Sequence, residues 1–414
     1  MFRTQCISCR SNALNEIINL GMHPMADTFI PESRLAEPDR SYPLVCDLCK
    51  NCGHVQSRTI TSPDERYVIY DYSYTSANSQ TSRSHWQEYA IHVGRKTGLA
   101  KSDFVLEVGS NDGFLAEQFQ RAGYMAIGVD PSPAMALLAA QRQVKTIAGL
   151  FGLRLMRENL SALPSQPRLI VANNVFNHAN DPLDFALGIK EILAPNGTFV
   201  FELPYWATSV AQKKFDQIYH EHVSYMTVKS AVNLFNSIGL RVSDVEEVDY
   251  HGGSIRVYVN HASASNGGAV PPAPVAALVA REEASGLFEA DTYRSFMQEI
   301  TQVRLRFLAR FYHLKEQGHS VLCVGAAAKG NTFLNYYNLD STVVDFVTDA
   351  SPSKIGKFTP RTRIPITRDA VFKDYGSVYA LILSWNISYS LQKLLLSLNS
   401  NIKFLDPYNP LNDT

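Results

Sequence analysis

Between residues 104 and 204 three short apolar runs, FVLEVG, YMAIGVD and RLIVANNVF, each give way to a stretch of helical periodicity, and a fourth run, TFVFELP, closes the series. A strand feeding a helix of this length pairs with the next strand in parallel, and a parallel sheet needs helices on both faces. This region is therefore α/β. A second series begins at Ser320 with SVLCVGAAAKG, VVDFVTDASPSK and YALILSW. Residues 261–280, rich in Gly, Pro and Ala, read as a domain boundary, followed by one helical segment from about Glu283 to Glu316. At 414 residues the chain exceeds what one core supports, and three domains are expected: 1–70, 71–265 and 266–414.

The first of these is punctuated by Pro24, Pro31, Pro38, Pro43 and Pro63, which leaves little room for long helices, so something besides a large core must hold it. Five of the six cysteines lie within the first 52 residues. Cys6-x2-Cys9 and Cys49-x2-Cys52 form two knuckles, each able to wrap a pair of thiolates around one tetrahedral ion. Gly53 beside the second knuckle suits a metal-binding turn and leaves Cys46 as the spare. Four thiolates fill the coordination sphere of Zn2+, so the metal is expected to be structural.

The charge balance of 38 basic against 39 acidic residues offers no electrostatic basis for binding nucleic acid or an anionic membrane. No apolar run reaches the roughly 18 residues of a spanning helix, and MFRTQCISCR does not read as a secretory leader. A cytoplasmic location is the expectation.

Gly109 and Gly113, in LEVGSNDGF, occupy the turn between a strand and a helix, where backbone must come close to a ligand. Their G-x-x-x-G spacing is not the G-x-G-x-x-G of a dinucleotide site, and it suits the amino-acid end of S-adenosylmethionine. Asp130, at the tip of the second strand, stands where a carboxylate accepts ribose hydroxyls. Asn111, Asn173 and its neighbour Asn174 join them as cofactor contacts, with His178 close by at the same sheet edge. In the second series Lys329 and Asn331, within GAAAKGNT, stand at the start of a helix that can face an anion such as a diphosphate.

The stretch IYHEHVSY, residues 218–225, packs two imidazoles, a carboxylate and two phenols together. Methylation at carbon needs a C–H proton removed and an enolate held, and these are groups of the kind required. His222 is expected as the base, with Glu221 orienting its ring and a phenol donating to the enolate oxygen.

FDQIYHEHVSY resembles the signature of the S-adenosylmethionine-dependent sugar C-methyltransferases, which make 3-C-methyl deoxysugars from nucleotide-linked ketosugars. The cysteine knuckles, LGMHPMADTF, LEVGSNDGFL, ELPY, HGGSIR and GAAAKGNTFLNYY extend the resemblance over nearly the whole chain. It implies an N-terminal zinc module, a central Rossmann-like methyltransferase domain and a C-terminal Rossmann-like domain binding the nucleotide-sugar, a dTDP-sugar. By the same resemblance His222, Glu221, Tyr219, His178 and Tyr74 are catalytic, and Tyr72, Tyr205, Ser254, Arg256, Lys329 and Asn331 meet the substrate. Arg361 departs from the pattern, standing where glycine is expected in a turn. The competing readings are O- or N-methylation of a related sugar, and a non-catalytic nucleotide-sugar-binding subunit.

Overall fold

The computed structural model describes residues 1–63, 75–77, 79–262 and 271–408. The proposed domain limits at 70 and 265 fall outside them.

The N-terminal module is built on β1 (Leu14–Pro24), β2 (Ser41–Cys49) and β3 (Val55–Ser57), paired antiparallel. As the prolines lead one to expect, residues 1–62 contain no α-helix.

The central domain opens with α1 (Gln80–Lys96) and then alternates: β4 (Phe104–Val108), α2 (Phe114–Arg121), β5 (Met125–Asp130), α3 (Pro133–Gln141), β6 (Thr146–Ala148), α4 (Leu153–Glu158), β7 (Leu169–Asn173), α5 (Pro182–Ile192), β8 (Thr198–Pro204) and α6 (Trp206–Ala211). Helix starts are marked locally: Ser132 and Asp181 cap α3 and α5 with proline in the first turn. After them come β9 (Ser224–Tyr225), α7 (Val228–Ser237), β10 (Leu240–Val248) and β11 (Ser254–His261). Seven strands form one sheet in the order β10-β11-β8-β7-β4-β5-β6, parallel except at β11. Alternate residues of each strand feed opposite faces, Leu106, Ile170 and Phe201 one core and Val105, Val171 and Val200 the other. The strand order reverses between β4 and β7, which opens a crevice at their carboxyl ends.

β9 belongs elsewhere. It pairs with β3, setting Val55 against Tyr225, and so completes the N-terminal sheet with the residues that follow His222.

The expected helix at 283–316 is two helices, α8 (Ala273–Ala284) and α9 (Ala290–Glu316). Gly286, at φ +69°, makes the break, a backbone conformation that favours glycine. The C-terminal sheet is wholly parallel in the order β14-β13-β12-β15-β16. It comprises β12 (Val321–Val324), β13 (Val347–Thr348), β14 (Ile366–Thr367), β15 (Val378–Ile382) and β16 (Ile402–Leu405), with α10 (Ala328–Tyr337) and α11 (Ser388–Leu398).

One apolar cluster joins the N-terminal module, α9 and the C-terminal sheet through Ile18, Leu48, Phe296, Phe307, Phe333 and Tyr337. Polar contacts reinforce the junction, including the paired backbone of Ile30 and Phe358 and the Arg363–Asp39 ion pair at 2.5 Å. Arg361 adopts φ +62°, the conformation the expected glycine would take, with its backbone N–H donating to Asp39.

Candidate active site

In the crevice, Gly109 at φ +68° turns the chain from β4 toward α2, and a Cβ there would meet Val175 at 2.2 Å. Asn111, also left-handed at φ +50°, gives its N–H to Asp130 Oδ2 at 2.8 Å, while the N–H of Ser132 reaches Oδ1 at 2.8 Å. Burial raises the Asp130 carboxyl and these two amides oppose the rise. The lining includes Gly109, Asn111, Asp130, Phe151, Asn174 and His178.

Asn174, at φ +53°, lines the crevice, whereas Asn173, one residue back on β7, does not. Gly113, at φ +75°, lies behind the lining, where a Cβ would meet Ala139 at 2.9 Å. Ser132, Leu150 and Phe151 also line it; no motif had pointed to them. Loop glycines, a carboxylate at the second strand tip and an apolar wall with Phe151 suit the amino-acid, ribose and adenine parts of S-adenosylmethionine.

His178, within this lining, lies with its ring 5.1 Å from that of His222. His222 Nδ1 is 2.8 Å from the carbonyl of Gln217. A carbonyl only accepts, so the neutral ring is assigned its proton at Nδ1, and Nε2 accepts the Tyr219 hydroxyl at 2.6 Å. Gln217, not Glu221, therefore orients the imidazole. Glu221 Oε1 instead accepts the backbone N–H of Asp27 at 3.3 Å. Burial lowers His222 to about 4, with the Lys329 charge adding to the effect.

Lys329 stands at the seam of the central and C-terminal halves, donating to Asn386 Oδ1, 4.3 Å from the Trp385 ring centroid. Trp385 Nε1 donates to Asp216 Oδ2 at 2.6 Å. Burial pushes the Lys329 ammonium down to about 8, although Asp216 works against it.

Four residues expected at the substrate are engaged elsewhere. The Tyr205 hydroxyl donates to Glu282 Oε1 at 2.8 Å, and Ser254 Oγ donates to the carbonyl of Tyr250 at 2.9 Å. Arg256 forms a buried pair with Glu202 at 2.7 Å, whose disruption from one side costs about 3–5 kcal/mol. Asn331 Nδ2 donates to the carbonyl of Ala26 at 2.6 Å, tying α10 to the N-terminal module. These side chains hold the walls of the site. Tyr72 and Tyr74 lie outside the described residues.

At the other end of the N-terminal module, the sulfurs of Cys6, Cys9, Cys49 and Cys52 lie within 4.8 Å of one another. The Cys6–Cys52 and Cys9–Cys49 separations are both 3.6 Å. A tetrahedron with Zn–S bonds of about 2.3 Å has sulfur–sulfur edges of about 3.8 Å, so the four thiolates fit zinc. Cys46, the expected spare, is buried outside this group. Gly53 adopts φ +74° beside the knuckle. Among the described residues no helix is long and apolar enough to cross a membrane.

Three families match in succession: "Putative zinc binding domain" over residues 6–67, "Methyltransferase domain" over 83–245 and "C-methyltransferase C-terminal domain" over 249–404. The C-methyltransferase NovU of Streptomyces niveus is 31% identical over 382 residues, 92% of this chain and 90% of that protein. A mitochondrial ubiquinone biosynthesis O-methyltransferase of Schizosaccharomyces pombe is 28% identical over 116 residues, 27% of this chain and 42% of its own length. A solved S-adenosylmethionine-dependent methyltransferase from Clostridium acetobutylicum covers 45% of this chain and 94% of itself at 13% identity and a TM-score of 0.35. The long match to NovU, running through the zinc, methyltransferase and C-terminal segments alike, shows that the chain belongs to the C-methyltransferase family, as an S-adenosylmethionine-dependent enzyme with a four-cysteine zinc site.

Proposed function

We propose that this enzyme methylates C3 of a nucleotide-linked 4-keto-6-deoxy sugar, a dTDP-sugar, in the cytoplasmic synthesis of branched deoxysugars. The observation that carries the reading is the position of His178, which lines the cofactor crevice and lies 5.1 Å from the ring of His222. A base beside the methyl-donor site is what C-methylation requires and what O-methylation of a hydroxyl can do without.

The C4 ketone acidifies the proton on C3. His222 Nε2 takes that proton, the C–H electron pair becoming the enolate, while the Gln217 carbonyl holds the imidazolium through Nδ1–H. Tyr219, released from Nε2, donates its hydroxyl proton in a hydrogen bond to the enolate oxygen. S-adenosylmethionine supplies the electrophilic methyl. Lys329 sets a positive charge in the seam that favours the anionic diphosphate, and that anion in turn offsets the depression of His222.

The test is incubation with S-adenosylmethionine and dTDP-4-keto-6-deoxyglucose in deuterated water, read by mass spectrometry and NMR. One methyl on C3 is the expected product. A methyl on oxygen or nitrogen, or neither methyl nor deuterium across a panel of nucleotide ketosugars, overturns the reading.

The 2.6 Å Tyr219–His222 contact favours a second reading, in which the phenol takes the substrate proton and passes its own to His222. Tyr219→Phe separates the two. Under the first, turnover falls by about 10- to 100-fold and deuterium still enters C3. Under the second, exchange stops as well.

The pH profile follows from the two shifted groups. His222 acts as a free base, so lowering its pKa extends activity into acid, and kcat/KM is expected to fall only near pH 4. Lys329 acts as a cation, so its charge, and with it substrate affinity, is lost as pH rises through about 8. An acid limb near 6.5 in the free enzyme counts against the buried, neutral His222.

A further inference from the structure

Residues 24–30 cross from the N-terminal sheet to the C-terminal half, and their backbone is held on both sides. Ala26 accepts from Asn331 of α10, the N–H of Asp27 reaches Glu221 of the catalytic turn, and Ile30 pairs with Phe358. Asp27 therefore stands between the base and the glycine loop after β12.

Asp27 is half-buried, and solvent reaches its carboxylate as in a recess. Asp349, Lys354 and Lys357 of the C-terminal half face it. Two of those neighbours are engaged: Asp349 accepts the N–H groups of Ala326 and Ser351, and Lys354 donates to the Ala326 carbonyl while lying 4.9 Å from the Phe29 ring centroid. Among the described residues none donates a hydrogen bond to the Asp27 carboxylate, and burial pushes its pKa up, with Asp349 adding to the rise and the two lysines opposing it. A carboxylate in a recess without a protein donor is open to a hydroxyl that a ligand brings.

We propose that Asp27 is a substrate-binding residue, its carboxylate accepting a hydroxyl of the nucleotide-linked sugar as that molecule spans from His222 to the loop after β12. This rests on the proposed function above. It adds an N-terminal residue to a site otherwise made by the central and C-terminal halves.

The experiment is calorimetric titration of zinc-loaded full-length protein, wild type, Asp27→Ala and Asp27→Asn, with dTDP-4-keto-6-deoxyglucose and separately with S-adenosylmethionine. The backbone N–H that holds Glu221 survives both substitutions. Asp27→Ala is expected to bind the sugar nucleotide about tenfold or more weakly, Asp27→Asn less so, with cofactor affinity and Tm unchanged. Equal sugar affinity in wild type and Asp27→Ala overturns the assignment and leaves the proposed function standing. Parallel loss of cofactor binding and Tm shows a structural role and also overturns it. If the wild type binds cofactor but no sugar nucleotide, the proposed function fails and the assignment with it.

Discussion

Replacing His222 with alanine is expected to lower turnover by about 10³-fold, near the middle of the range for a positioned general base and equivalent to about 4 kcal/mol in the barrier. Its Nε2 offers the only lone pair of the neutral ring, fixed by the bond from Nδ1–H to the Gln217 carbonyl. His220, next but one in sequence, does not take that place, since it directs Nε2 toward the Pro43 carbonyl at 3.3 Å. The cofactor crevice is lined by other residues, so S-adenosylmethionine affinity, measured by calorimetry, should stay within about twofold. Deuterium wash-in at C3 should vanish with turnover, and free imidazole should restore part of both. Turnover within tenfold of wild type would remove His222 from the role of base.

Loss of the zinc ligands is expected to have the largest effect on stability. Cys49→Ser leaves three thiolates and a module of short strands whose metal-binding energy is in large part its folding energy, about 10 kcal/mol or more in small zinc domains. The lower Tm should be evident by scanning calorimetry, a shift of about 10 °C or more, with zinc content falling from one ion per chain toward none. Cys46→Ser, which alters a buried thiol outside the cluster, should keep one ion per chain. Activity should fall with the module, because β3 holds β9 and β9 begins two residues after His222. A Cys49→Ser protein with unchanged Tm would show that the shared apolar cluster alone holds the module.

These two predictions draw on different levels of the chain. The knuckles were legible because their chemistry is local: two C-x2-C turns and a glycine at positive φ specify a thiolate site at short range. The same holds for the Gly109 turn, the carboxylate at the tip of β5 and the strand–helix alternation, where covalent geometry and side-chain period carry the information. Arg361 shows how far such rules stretch, since it takes a glycine conformation while Asp39 accepts its N–H.

What the sequence by itself determined was the presence of a zinc module, two Rossmann-like halves and a cluster of proton-handling side chains. It did not determine partners. Glu221 lies beside His222 in sequence, yet the ring is oriented by a backbone carbonyl five residues away. Arg256 and Tyr205 read as substrate contacts because they sit in motifs, and only the packed sheet and α8 reveal Glu202 and Glu282 as their partners. Asp27 meets Glu221 across 194 residues and Asn331 meets Ala26 across 305. Such pairings depend on how sheets and helices pack, because a shift of about 1 Å or a turn of one strand changes which acceptor a donor reaches. The motifs name the groups available, and the tertiary structure decides which of them face the substrate and which hold the walls around it.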